Sequence, residues 1–316
     1  MSIIEKAINK QSAASNNTET TSVERAMHTA TDQAPAEQVV TEMVSPEPKV
    51  VEAVVEPNYQ AVDTDDITTV KESKSAVTLD LQSLEQRNFV SLSSERRLIN
   101  EEYRVIKRKL ITNAFGPLSH TLKHPNLILV SSSRPGEGKT FSSINLALSI
   151  ALEQDKTVLL VDSDVLRPSV SKTLNISHHV GLTDYLLSSE VKVSDIILST
   201  NVERLKIVTA GRPHHLSTEL LASERMLMLV NEFASRYSDR IVIFDAPPLL
   251  GVNETAVMAS MCGQAVIVVE ENSTKLAEIE QAVALLPKDI ATGFIINKAH
   301  RNQGKGYGYG YYYGAN

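Results

Sequence analysis

SRPGEGKT, residues 133–140, stands between the apolar run NLILVSSS (126–133) and a helix-forming stretch from Lys139 to about Glu153. A glycine-rich turn that leaves a strand and opens a helix lets successive backbone N–H groups close around phosphate oxygens. The helix N-terminus adds partial positive charge at the same point. On this reading Ser133, Arg134, Pro135, Gly136, Glu137, Gly138, Lys139, Thr140 and Phe141 form a nucleotide-binding loop. Lys139 reaches the β- and γ-phosphates, and the Thr140 hydroxyl ligates Mg²⁺. The usual pattern opens on glycine where this chain has Ser133, but Gly136 and Gly138 still flank the tight part of the turn.

Working outward, apolar strands alternate with helices. Strands are expected at 126–133, 157–164, 205–211, 240–247, 264–271 and 291–298, with helices at 139–153, 218–237, 254–261 and 275–286 and helical material around GLTDYLLS. Continuous apolar strands in such an alternation predict an α/β fold, a mostly parallel sheet covered by helices on both faces. Ligands of these sheets bind beyond the carboxyl ends of the strands. Before the first of these strands, SERRLINEEYRVIKRKLI (94–111) reads as a charged amphipathic helix. Leu98, Val105, Ile106 and Leu110 are its expected core face, while Glu101, Arg104 and Lys107 lie at successive i, i+3 steps.

Two further strands end in carboxylates. VLLVDSDVLRP (158–168) carries Asp162 and Asp164, alternate residues whose side chains reach one point from a strand end. Beside a Mg-nucleotide, one can hold a metal-bound water while the other accepts a proton from an attacking hydroxyl. RIVIFDAPP (240–248) ends on Asp245, placed to orient Mg²⁺ or its waters. The catalytic candidates are therefore Lys139, Asp162, Asp164 and Asp245. The metal candidates are Thr140, Asp162, Asp164 and Asp245.

Composition narrows the classes. Residues 1–80 hold 14 acidic and 6 basic residues, against 24 and 25 in the remainder, so the net charge of −7 describes the N-terminal segment. Neither part has the basic excess of a nucleic-acid binder. A single cysteine, Cys262, excludes an internal disulfide and fits a reducing compartment. The start, MSIIEKAINK, lacks the pattern of a signal peptide, and no apolar run approaches the ~18–20 residues needed to span a bilayer. The chain is thus expected in the cytoplasm. The paired histidines His178–His179 and His214–His215 have no acidic or thiol partner at ligand spacing and read as loop positions.

Three domains follow. Residues 1–85 form an acidic, mostly disordered segment, opened by Ile3, Ile4, Ala7 and Ile8 at the spacing of a short docking helix or a frayed terminus. Residues 90–302 form the nucleotide-binding domain. Residues 303–316 end in GKGYGYGYYYGAN, which has no aliphatic residue to fold around and displays Tyr307, Tyr309, Tyr311, Tyr312 and Tyr313.

SRPGEGKT, VDSDVLRPS, FDAPPLL and the tyrosine tail together closely resemble the bacterial tyrosine kinases, in particular the cytoplasmic autokinases associated with exopolysaccharide and exosortase systems. The resemblance covers about residues 90–316. It implies a P-loop fold of the MinD/ParA type and a Mg-ATP-dependent protein-tyrosine kinase that phosphorylates its own five tail tyrosines. It also implies a ring-like homo-oligomer held through Glu101, Arg104 and Lys107, a membrane polysaccharide co-polymerase that recruits the chain to the inner face of the cell membrane, and a cognate phosphatase. STELLAS (217–223) resembles the family's segment before the helix leading into the third motif. Two departures stand out. Lys107 replaces the arginine of an E-x-x-R-x-x-R pattern, and Leu166 occupies the usual arginine place of the second acidic motif, with Arg167 after it. Asn297 and Lys298 either touch the base or end the last strand. The nearest rivals are a MinD/ParA-like ATPase switch and a non-enzymatic ATP-binding subunit. Arg134 in place of an early loop lysine, and tyrosines in place of a basic C-terminal helix, weigh against the switch.

Overall fold

The computed structural model describes residues 76–93, 97–177 and 179–300. The expected terminal helix, the acidic segment up to residue 75, His178 and the five tail tyrosines lie outside them. Eight strands run in chain order: β1 (Ala76–Val77), β2 (Leu127–Ser132), β3 (Thr157–Asp162), β4 (Leu198–Thr200), β5 (Leu205–Val208), β6 (Arg240–Asp245), β7 (Gln264–Glu270) and β8 (Ala291–Asn297). They form one sheet in the order β1-β4-β5-β3-β6-β2-β7-β8. Neighbours pair in parallel except β4 with β5.

The helices are α1 (Leu81–Gln86), α2 (Leu98–Phe115), α3 (Lys139–Ala151), α4 (Val170–Thr173), α5 (Leu182–Leu187), α6 (Val193–Ile196), α7 (Ser217–Leu221), α8 (Glu224–Ser235), α9 (Asn253–Ala259) and α10 (Leu276–Ala284). Alternate strand residues feed two separate cores, because successive side chains leave a strand on opposite faces. Leu127, Leu129, Leu159, Val242 and Phe244 meet α8 through Met226, Leu229 and Phe233. Ile128, Val130, Val158, Leu160, Ile241 and Ile243 meet α3 through Ile144, Leu148 and Ile150. The fold class expected from the alternation is therefore the one observed.

Four details differ from the sequence reading. The ordered fold starts before residue 90: Ala76–Val77 pair with β4, Asp80 caps α1 by accepting the Ser83 N–H at 2.9 Å, and Leu79 is only 2% exposed. Leu79, Leu84, Phe89 and Val90 bury enough apolar surface to order residues otherwise assigned to the acidic segment. The stretch 218–237 is two helices, since Ser223 starts α8 by accepting the Met226 N–H at 3.2 Å. The short strands β1 and β4 were not foreseen.

The fourth concerns α2. Leu98 and Val105 are 55% and 51% exposed, and the buried face is Tyr103, Lys107, Leu110 and Ala114. Lys107 therefore leaves the charged face expected for it. Its ammonium donates to the Ser149 carbonyl at 2.7 Å and pairs with Glu153 at 2.7 Å, at the C-terminal end of α3 where a cation meets the negative end of the helix. Glu101 and Arg104 remain outside, 3.0 Å apart.

Candidate active site

Three strand ends bring the site together. β6 lies between β2 and β3, so the loop after β2 faces the ends of both other carboxylate-bearing strands. Asp162 and Asp245 are direct cross-strand partners in the parallel ladder. Residues so paired point to the same face and bring their side chains to one place at the carboxyl edge.

The loop after β2 is tightly braced. Gly136 and Gly138 adopt φ of 89° and 98°, a region that side chains with a Cβ rarely enter. Arg134, Pro135 and Gly136 form its exposed tip. Glu137 is buried and accepts the Arg134 N–H at 2.8 Å and the Thr274 hydroxyl, so its side chain holds the loop's shape and only its backbone is left for a ligand. Asn297, at the end of β8, donates to the Glu137 carbonyl at 2.9 Å, and a Cβ on Gly138 would meet its Nδ2 at 1.9 Å. Lys298 instead pairs with Glu270 at 2.9 Å. The Phe141 ring packs on Phe89, with centroids 4.9 Å apart, and leaves the ligand side to its backbone. Ser133 is fully buried and its hydroxyl has no partner.

Behind the loop the charges converge. Lys139 Nζ donates to Asp164 Oδ2 at 2.7 Å, and Asp164 Oδ1 accepts the Arg167 N–H at 3.0 Å. The Thr140 hydroxyl donates to Asp245 Oδ2 at 2.6 Å and lies 2.7 Å from the Ser169 hydroxyl, while Ser143 donates to Asp245 Oδ1 at 3.0 Å. Asp162 Oδ2 accepts the Val170 N–H at 3.0 Å, but its Oδ1 is buried without a partner. Lys139, Thr140, Asp162, Asp164 and Asp245 thus gather at one place, as the motifs anticipated. Sequence reasoning missed Ser143, Ser169, Thr274 and the bracing role of Asn297. Ser143 was findable, because it sits three residues after Thr140 on the same helix face. The others come from distant segments.

The electrostatics show what the site lacks. Burial, and then the charge of Asp245, push the Asp162 pKa well above the carboxylate range. Burial likewise raises Asp245 against the pull of Lys139. Burial opposes the charge on Lys139, yet Asp245, Asp164 and Asp162 together hold its pKa above the ordinary lysine value. Burial and mutual repulsion thus disfavour the ionised forms of Asp162 and Asp245, and a divalent cation beside them would favour those forms. Among the described residues no three acidic, His or Cys groups converge as a cage. Mg²⁺ does not require one, since it binds through one or two carboxylates, waters and substrate phosphates. Thr140 and Asp245 fit that role. Asp164, also among the expected ligands, pairs here with Lys139 and with the Arg167 N–H of its own turn.

Strand, glycine loop, helix N-terminus and Mg²⁺-suited carboxylates define a P-loop nucleotide-binding α/β domain. Residues 126–289 match the family model described as AAA domain. The chain is 30% identical over 214 residues to tyrosine-protein kinase YwqD of Bacillus subtilis, covering 67% of this chain and 86% of that one. It is 32% identical to tyrosine-protein kinase CpsD of Streptococcus agalactiae, over 57% of this chain and 78% of that one. The solved VpsO kinase domain superimposes with a TM-score of 0.55 at 27% identity, covering 64% of this chain and 97% of that domain. The chain belongs to the bacterial tyrosine kinases.

Proposed function

We propose that this chain transfers the γ-phosphoryl group of ATP to tyrosine hydroxyls, with its own tail as the first substrate. The single observation that supports this most is Asp162 Oδ1. Of the six carboxylate oxygens on Asp162, Asp164 and Asp245, it is the one without a hydrogen-bond partner, and its carboxyl has a raised pKa. A phenol, with pKa about 10, needs a base as it attacks phosphorus. In this reading Asp162 accepts the phenol proton as the tyrosine oxygen bonds to the γ-phosphorus and the bond to the β-γ bridging oxygen breaks, releasing ADP. Lys139 leaves Asp164 to hold the phosphate oxygens, and backbone N–H groups of residues 133–141 orient them. When bound, Mg²⁺ at Thr140 and Asp245 supplies charge neutralisation for the phosphates.

The tail, residues 303–316, has the glycine spacing to reach a neighbour's site, and Tyr307, Tyr309, Tyr311, Tyr312 and Tyr313 are the proposed acceptors. Within an oligomer that transfer is in trans. Glu101 and Arg104 are the exposed pair proposed for self-association, and buried Lys107 is removed from that role. No helix among the described residues is long and apolar enough to cross a membrane. Recruitment of this cytoplasmic chain to the membrane is assigned to a separate polysaccharide co-polymerase, the setting is exopolysaccharide synthesis, and reversal falls to a tyrosine phosphatase. Likeness to the tyrosine-protein kinases CapB and CpsD is the support for a kinase role in that setting. The test is incubation with Mg-ATP followed by phosphotyrosine detection, with a chain ending at Asn302 alongside. The full chain should acquire phosphotyrosine and the shortened one should not. ATP hydrolysis without phosphotyrosine would favour an ATPase switch instead.

A further inference from the structure

The amino edge of the same sheet carries a second set of charges that phosphotransfer does not use. Arg240 opens β6 and Lys206 lies early in β5. The ladders pair Thr157 with Arg240, Leu159 with both Val242 and Lys206, and Lys206 with Ser199 of β4. Alternation therefore puts Arg240, Lys206 and Ser199 on one face, the face that α8 covers. Together with Ser194, Arg236 and Tyr237 they line a cavity of about 70 Å³. That is room for several water-sized positions, and so for one small head group and not a nucleotide.

Three cations, Lys206, Arg236 and Arg240, line this cavity against one carboxylate, Glu232. Arg240 is 5% exposed, its guanidinium lies 3.7 Å above the Tyr237 ring, and its Nε is buried with no hydrogen-bond partner. Burial lowers its pKa, although a guanidinium stays charged at neutral pH. Glu232 pairs with Arg236. Asp239 accepts from the Thr157 hydroxyl at 3.1 Å, and its charge, with a hydrogen bond between Tyr237 and Arg240, favours the charged form of Arg240 without a direct ion pair. Asp195 accepts the Lys192 N–H at 2.9 Å. No ion pair to Lys206 or Arg240 occurs among the described residues. A buried guanidinium with an unpartnered Nε, beside an excess of cations, is a favourable place for an anion.

We infer that this cavity is an oxyanion site for a single phosphoryl group, either inorganic phosphate or the phosphate of a monoester. Arg240 and Lys206 provide two positive charges, and Ser199 provides a hydroxyl donor, a set suited to an oxyanion, while the Ser194 hydroxyl at the rim donates to Asp195 at 3.2 Å. The site is separate from the nucleotide loop. The six residues of β6 put Arg240 roughly 17 Å from Asp245 along the strand.

Calorimetric titration of the full-length protein, saturated beforehand with Mg-ADP to fill the loop, tests this with inorganic phosphate and separately with phenyl phosphate. Saturable uptake of one anion per chain is expected. Uptake of phenyl phosphate assigns the site to esters, and uptake of inorganic phosphate alone assigns it to the free ion. Arg240→Met should weaken binding about ten-fold or more and Lys206→Gln several-fold, with ADP affinity unchanged. Should Arg240→Met fail to fold, Lys206→Gln decides. Absence of saturable binding of either anion, or equal affinity in variant and wild type, overturns the inference.

Discussion

The two ends of this sheet keep opposite charges out of water. At the carboxyl edge Asp162, Asp164 and Asp245 face one ammonium, that of Lys139, whereas at the amino edge buried Arg240 lines one cavity with Lys206, and neither has an ion pair among the described residues. Between them stand strands whose residues are almost wholly apolar and buried. A fold tolerates uncompensated charge of this kind only at a few kcal/mol per group, which the packed cores on both faces must supply. Charge stored at a strand end, away from the apolar middle, is therefore a pointer to ligands of the complementary sign. At one edge the ligand proposed is a cation carried with a nucleotide, and at the other the ligand inferred is an anion.

The largest effect expected at the carboxyl edge comes from Lys139→Met. Removing the one ammonium leaves the carboxylates unopposed and the phosphates unheld, and autophosphorylation should fall about a thousand-fold or more. Quantitative phosphotyrosine detection checks this, and retention of a tenth of the activity would remove Lys139 from the chemistry. A smaller effect follows from Gly138→Ala. The new methyl would strain a backbone at φ 98° and displace Asn297 from the Glu137 carbonyl. ADP affinity should drop about ten-fold, matching a loss of roughly 1–3 kcal/mol.

Smaller again, and opposite in sign, is the stability of the nucleotide-free protein. The Asp162 pKa is raised in the folded state, so its contribution to stability is present below the ordinary carboxylate value and is lost as pH rises through the raised one. Asp162→Asn removes that loss and should raise the neutral-pH Tm by about 2–4 °C in thermal melts. A lower Tm would mean that the buried charge is better satisfied than its geometry indicates. The least change is expected at Cys262, whose thiol is buried and pushed up to about 12. It should react with a thiol reagent only as fast as the protein opens, and rapid labelling of the native chain would contradict its placement.

How much of this was legible beforehand depended on whether the signal was local. The loop SRPGEGKT and the carboxylates ending VLLVD and RIVIFD carry their meaning within a few residues, and their strands converge because parallel sheets place such ends together. The face of α2 was misread because Leu98 and Val105 match the helical period as well as Tyr103 and Leu110 do. Burial of Lys107 depends on a carbonyl and a glutamate more than forty residues away. The strand at Ala76–Val77 is obscured in the same way. A two-residue strand acquires its pairing only from β4, and polar, acidic surroundings hid Leu79 and Leu84. The amino-edge cavity had no sequence signature, since Lys206 and Arg240 meet only through the register of β5, β3 and β6.

The most direct test of the account separates transfer from binding at Asp162. Single-turnover formation of phosphotyrosine in Asp162→Asn, measured beside its affinity for Mg-ADP, should show the rate reduced about a hundred-fold or more with affinity held within a few-fold. An unchanged rate, or a rate that falls only as far as nucleotide affinity does, would contradict the role given to that carboxylate.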